Sequence, residues 1–310
     1  MQRGCRSGRC VVVAAVGWLR EGACLMASIS RASLEGLVIR RVEGGAALRL
    51  AWTEIARASP LVRLVGSGWS EEPDGSLRWL ADREGRALRG AAIGEHGVRA
   101  ALKFEGMQLS LLRSDGRTVA DLVLRGRAPS EARAWLVEHA SSVLGPQVRP
   151  GAEPETVGDV AFDAPSEGLN DLADLFDATS ALLDRLVSLP GVSGVAAFDE
   201  HRLEPGASLE IDGLTVRVSL VQPGRIGGTG EPVGSSCGWL VEAGAGFGRT
   251  PPGSLPALGR GSWLEGEDGV PSAVLTLDEA MGEATPEGRG AVLAGFVSGA
   301  VNALLAVPGG

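Results

Sequence analysis

Between Leu34 and Gly126, apolar and polar residues alternate in short runs divided by turn signals. The runs 37–42, 47–52, 61–65, 77–81, 87–93, 98–104, 107–113 and 119–124 carry the period of two that predicts antiparallel strands. Asp74-Gly75 and Asp115-Gly116 read as hairpin turns, because glycine tolerates a positive φ, and Glu105-Gly106 joins two strands in the same way. Arg and Glu fill alternate positions, so one face of such a sheet is wet and the other covered. The cover is a helix opened by Ser130 as cap. Its face positions Ala132, Trp135, Leu136, His139 or Ala140, Val143 and Leu144 recur every three or four residues, and Gly145-Pro146 stops it.

Residues 146–156 form a Pro-rich connector, which places a boundary near residue 150. Beyond it the pattern predicts a strand at 157–162 and a helix at 169–189. On that helix Leu172, Leu175, Phe176, Thr179, Leu182, Leu183, Leu186 and Val187 share one face. Asp171, Asp174, Asp177 and Asp184 lie away from that face and read as solvated. Strands follow at 194–198, 208–211 and 214–221, the last two joined by Asp212-Gly213. Residues 223–261 hold twelve Gly and five Pro, which predicts loops flanking one strand at 239–243. A strand at 273–277 leads to a last helix, 286–306, capped by Thr285. Ala291, Gly295, Gly299 and Ala303 form a stripe of small residues on it, which predicts close backbone packing at Gly295 and Gly299. Ala and Gly dominate that helix, so it reads as a buried core element and not as a membrane span. The pattern as a whole predicts an α+β protein: antiparallel sheets covered by a few helices, in two α+β halves, 26–150 and 151–310. No register of identical residues relates the halves.

The first 25 residues stand apart. They hold three of the four Cys, Cys5, Cys10 and Cys24, and Arg3, Arg6 and Arg9 precede an apolar run. That outline is shared with a signal peptide, but Arg20-Glu21 follow directly and no small-x-small cleavage site appears. The segment therefore reads as an unstructured leader, or as an upstream extension of a start at Met26, with export as the alternative. The expected location is cytoplasmic. Without the leader, Cys237 is the only thiol, and the fold must rest on its core.

Composition narrows the chemistry. The chain of 310 residues has no Tyr, three His and a single Lys, Lys103, beside 28 Arg, a bias that looks like GC-rich bacterial coding. The residues around Lys103 exclude a phosphate-binding P-loop, and no metal-ligand spacing occurs. Neither a cofactor nor a metal is implied. The net charge of −9 is uneven: 18 basic and 14 acidic residues in 26–150, against 7 basic and 23 acidic in 151–310. This is either compositional drift or a pair of halves docking through complementary charge. The acidic second half argues against nucleic acid or an anionic membrane as partner.

The densest candidate chemistry lies at 223–239, where Ser235, Ser236 and Cys237 sit between glycines. A nucleophilic Cys237 needs a base, and His201 is the nearest His in sequence, with Asp199 and Glu200 beside it. Gly244, Gly246 and Gly248 miss the spacing of a dinucleotide loop. His96 reads as a turn residue and His139 as a packing residue. Arg78, Arg83, Arg86 and Arg89 have only Trp79 beside them, too little for a base-stacking platform. The expected function is binding, to a protein partner or a small ligand. The alternative is a hydrolase or acyltransferase using Cys237, Ser236 and His201.

Overall fold

The structure, a computed structural model, describes residues 28–68, 77–82, 85–94, 97–145, 158–199, 202–222, 237–244, 247, 250–265 and 269–307. Five strands, β1 (Arg78–Asp82), β2 (Gly85–Arg89), β3 (Arg99–Lys103), β4 (Gln108–Leu112) and β5 (Thr118–Val123), form an antiparallel meander in chain order. Six more form a second antiparallel sheet: β6 (Val192–Asp199), β7 (Glu204–Ile211), β8 (Leu214–Val221), β9 (Gly238–Ala243), β10 (Ser262–Glu265) and β11 (Pro271–Thr276). Its spatial order is β10-β11-β9-β8-β7-β6. The helices are α1 (Gly45–Gly68), α2 (Pro129–Leu144), α3 (Ser166–Val187), α4 (Leu277–Met281) and α5 (Pro286–Leu305). The fold is α+β. In the β7–β8 turn Asp212 and Gly213 both take positive φ, 49° and 81°, the backbone a two-residue hairpin needs. Asp74-Gly75 lies outside the described residues.

α1 and α2 pack on the first sheet, α3 and α5 on the second, and α1 packs on α3. One apolar core therefore runs through both halves. Its centre is Phe176 of α3, whose ring lies 5.3–5.6 Å from those of Trp52 (α1), Trp79 (β1), Phe104 and Phe198 (β6). Charge is confined to the margin of this contact. Arg86 of β2 pairs with Asp174 and lies 3.6 Å from Asp177, Arg40 reaches Asp174 at 3.5 Å, and the Trp79 indole N–H donates to Asp177 at 2.8 Å. Asp171 accepts from the Glu43 N–H at 3.1 Å. Three of the four α3 aspartates thus face the first half and not open solvent, while Asp184 is exposed. Complementary charge joins the halves as a rim around aromatic packing, and burial in that rim raises the Asp171 and Asp177 carboxyls above their ordinary range.

Several predicted strands are corrected. Residues 47–52 and 61–65 belong to α1, whose buried Leu48, Ala51, Trp52, Ile55, Ala58, Val62 and Val65 follow helical spacing. Pro60 lies inside this helix and splits its pattern into two short apolar runs that mimic strands. Residues 37–42 are extended, with Leu37, Ile39 and Val42 buried, but they pair with no strand. They cross α5 instead: the Ile39 N–H donates to the Pro286 carbonyl, and the Ile39 carbonyl accepts from Arg289 Nε at 2.9 Å. Further back, Ile29 exchanges two hydrogen bonds with the Asn302 side chain. Of the predicted strand at 157–162 only a bridge between Phe162 and Arg125 forms. Ser130 lies inside α2, where its N–H and hydroxyl donate to Asp159, and the N-cap is Ala128. β10 follows directly on the Gly-rich stretch, where a strand of four residues leaves too little pattern to read.

The small-residue stripe of α5 also behaves differently from its prediction. A Cβ added at Gly299 would meet nothing within 4 Å, and one at Gly295 would meet only the Arg31 side chain at 3.8 Å. The helix buries Leu293, Ala294, Phe296, Val297, Ala300, Val301 and Leu304 instead. The close backbone approach occurs at Gly290, where a Cβ would fall 1.9 Å from the Leu37 carbonyl oxygen. Bulky residues choose the buried face by area; of the stripe Gly299 is left exposed, Ala291 and Gly295 are half-buried, and only Ala303 is buried. This helix is long and apolar enough to cross a membrane, and 61% of its apolar window is buried in the fold.

Candidate functional site

Cys237 stands at the entrance to β9, and its carbonyl accepts from the Leu277 N–H that opens α4. The residue is 1% exposed and belongs to the apolar core. Burial pushes its thiol up to about 12, and the carboxylates of Asp278 and Asp171 add to the shift. A thiol held there carries almost no thiolate at neutral pH, the form that attacks an electrophile. In the core it packs as a small apolar side chain does. Ser235, Ser236 and His201 lie outside the described residues, as does His96. His139 is half-buried on α2, stacked on Trp135 at 4.7 Å, with Nδ1 2.8 Å from the Trp135 carbonyl oxygen. Among the described residues no group of three His, Cys, Asp or Glu is placed to hold a metal ion.

The described residues build a different feature on the face of the first sheet turned away from α1. Register places Arg78 opposite Arg89, Ala87 opposite Lys103, Arg89 opposite Ala101, and Arg99 opposite Leu112. In an antiparallel pair, opposed residues share a face, and diagonal neighbours on it lie about 7–8 Å apart. Arg89 therefore has Arg78 across from it and Arg99 and Lys103 on its diagonals. Four cations from three adjacent strands share one patch. Within it Gly85, Ala87 and Ala101 are too small to fill the surface. They open a depression of about 270 Å³, lined also by Arg89, Lys103, Leu112, Gly116 and Thr118. Ala87, Ala101 and Leu112 form its buried apolar floor. Toward one margin of this face Asp121 of β5 accepts from the Ser110 hydroxyl at 2.5 Å.

This arrangement has an apolar floor of small residues, a cationic wall and open access. It has the means to hold an extended or flat group that carries negative charge at its edge. In the sequence Lys103 stood out only as the single lysine, and Arg89 only as one of four arginines without an aromatic platform. What stayed illegible was which strands are neighbours, and only that brings the four cations together. Arg86, adjacent in sequence to this set, points to the opposite face and serves the contact with α3. Trp79 lies in the core, so among the described residues this face carries no aromatic platform. Comparison with known protein families, with curated proteins and with solved structures finds no match.

Proposed function

We propose that this protein works as a binding module, with the outer face of the first sheet as its contact surface and an acidic protein segment as its partner. The observation that carries the reading is the cationic depression bounded by Arg89 and Lys103 over the Ala87–Ala101 floor. Arginine and lysine at its edge supply charge-assisted hydrogen bonds to carboxylates. The sheet floor is rigid, so little ordering accompanies binding.

The chain offers an unusually direct test, because Lys103 is its only lysine. Reductive methylation with ¹³C-formaldehyde labels Lys103 and the terminal amine alone. Titration with a deca-glutamate peptide should shift the Lys103 methyl signal to saturation, and deca-lysine should leave it in place. Arg89→Glu should weaken the response by about tenfold or more, since reversing one charge at close range changes binding by at least about 1.4 kcal/mol. A Lys103 signal that stays unmoved at about millimolar peptide, the weakest affinity worth calling binding, removes this face as the contact surface.

A further inference from the structure

A sheet edge is a row of unpaired backbone donors and acceptors, and proteins blunt such edges with charge, bulges or brevity. Three of the four edges here follow that rule. β1 is five residues long and carries Arg78 and Asp82. β5 carries Asp121, and its pairing shifts register at Leu111/Leu112. β10 has only four residues. β6 breaks the rule. It is eight residues long, pairs regularly with β7 along its whole length, and has no charge before Asp199. Ser193 to Ala197 are all exposed, and Val195, at 74%, is the most exposed of the large apolar residues in the fold.

From this contrast we infer that β6 is an interface on which a second copy of this chain adds, antiparallel, to make a continuous twelve-stranded sheet. The sequence of the edge is complementary to itself. Pairing about Val195 sets Val192 against Phe198, Ser193 against Ala197 and Gly194 against Ala196. Asp199 then falls opposite Gly191 of the second copy, so no like charges meet. A two-fold axis through Val195 makes the contact isologous and closed. The strand supplies roughly six to eight backbone hydrogen bonds, two for each alternate pair. A foreign peptide gains specificity on a sheet edge from side-chain pockets. The exposed run of Ser, Gly, Val, Ala and Ala provides none, and self-pairing needs none.

The test is the mass of the full chain in solution, measured by sedimentation equilibrium under reducing conditions from about 1 to about 300 μM, a span that brackets micromolar affinity. Reducing agent removes any disulfide among the leader cysteines. The wild type should form a dimer as concentration rises. Val195→Lys sets two ammonium groups against each other at the axis and should raise the dissociation constant by about tenfold or more. The position is exposed on an edge, so the fold should survive, and circular dichroism confirms that it has. Val123→Lys, at the exposed end of β5, should dimerise like the wild type. A chain that stays monomeric over the whole range overturns the inference. So does a Val195→Lys protein that dimerises normally, or a loss of dimer in Val123→Lys equal to that in Val195→Lys.

Discussion

Gly290 and Gly299 lie nine residues apart on α5, and the same substitution should act on them with opposite sign. Gly290 sits under the extended segment that crosses the helix. A Cβ there would lie 1.9 Å from the Leu37 carbonyl oxygen and 2.4 Å from its carbon. Ordinary contact begins near 3.4 Å, so the segment and the helix would have to part by more than an ångström. That motion pulls on the Ile39–Pro286 and Arg289–Ile39 hydrogen bonds, which hold the same crossing. Overpacking of this kind costs about 1–3 kcal/mol, and more against backbone, while alanine returns about 1 kcal/mol of helix propensity. The net expectation for Gly290→Ala is a loss of roughly 1–3 kcal/mol. At Gly299 there is no neighbour to strike, so only the propensity gain remains, up to about 1 kcal/mol. Urea denaturation followed by far-ultraviolet circular dichroism separates the two as midpoint shifts in opposite directions. A Gly290→Ala protein as stable as the wild type would refute the close crossing of 37–42 over α5. A destabilised Gly299→Ala protein would refute the outward orientation of Gly299.

Three further outcomes follow from the core and its rim. Phe176→Ala removes the ring shared by four other aromatics and should cost about 3–5 kcal/mol by chemical denaturation; a loss below about 1 kcal/mol would mean the two halves do not share that core. Burial raises the Asp177 carboxyl above its ordinary range despite the Trp79 indole and Arg86. Its protonated form is therefore the better fit to the fold, and the stability it contributes in acid is lost as pH rises through the raised value. Asp177→Asn, which still accepts from the indole, should accordingly gain relative to the wild type between about pH 3 and pH 6, the window bracketing a raised carboxyl; a constant difference across that window contradicts the shift. Cys237, with its thiol at about 12 and its side chain in the core, should resist iodoacetamide at pH 8 in the native protein and react on unfolding, as read by peptide mass mapping; native labelling at the rate of a free thiol would place it at the surface.

The parts of this fold that were legible in the sequence are those whose pattern and partner are local. Hairpin turns such as Asp212-Gly213 and Asp115-Gly116 carry their own backbone requirement, and α3 shows a wide apolar stripe, so both appear without knowledge of the rest. The segments 37–42 and 47–65 failed for opposite reasons. Residues 37–42 do alternate, because one side of an extended chain is buried, but the surface that buries them is a helix and not a strand. Residues 47–65 are helical, but Pro60 interrupts the count and leaves two fragments of five or six residues, too short to tell one period from another. Direction was the other missing quantity. The α3 aspartates and the α5 glycines were placed on helices correctly, yet which side of each helix meets a neighbour depends on packing partners far away in sequence. The candidate site shares this limit. Lys103 and Arg89 are fourteen residues apart, and only the β2–β3 register makes them neighbours.

The order of elements carries a relation between the halves that residue identities hide. α1, the five-stranded meander and α2 correspond in order to α3, the strands β6-β7-β8-β9-β11 and α5, with β10 inserted between β9 and β11 to lie at the far edge and the short α4 inserted before α5. The packing follows the same scheme. The leading helix of each half covers the earlier strands, the trailing helix covers the later ones, and the two leading helices meet. Such an arrangement constrains burial and little else. Leu88, Leu102 and Leu109 on one inner face do the work of Leu209, Val218 and Val241 on the other, and the outer faces drift freely. That freedom is where the halves part in character. In the first, the outer face gathered Arg78, Arg89, Arg99 and Lys103 around a small-residue floor. In the second, it carries a small apolar cluster of Val221 and Val274 with Leu240 and Leu264 packed against it. The equivalent edges part as well, because β1 is short and charged whereas β6 is long and uncharged up to its last residue, Asp199. A shared core thus leaves two kinds of surface for different uses, a charged face in one half and an open edge in the other.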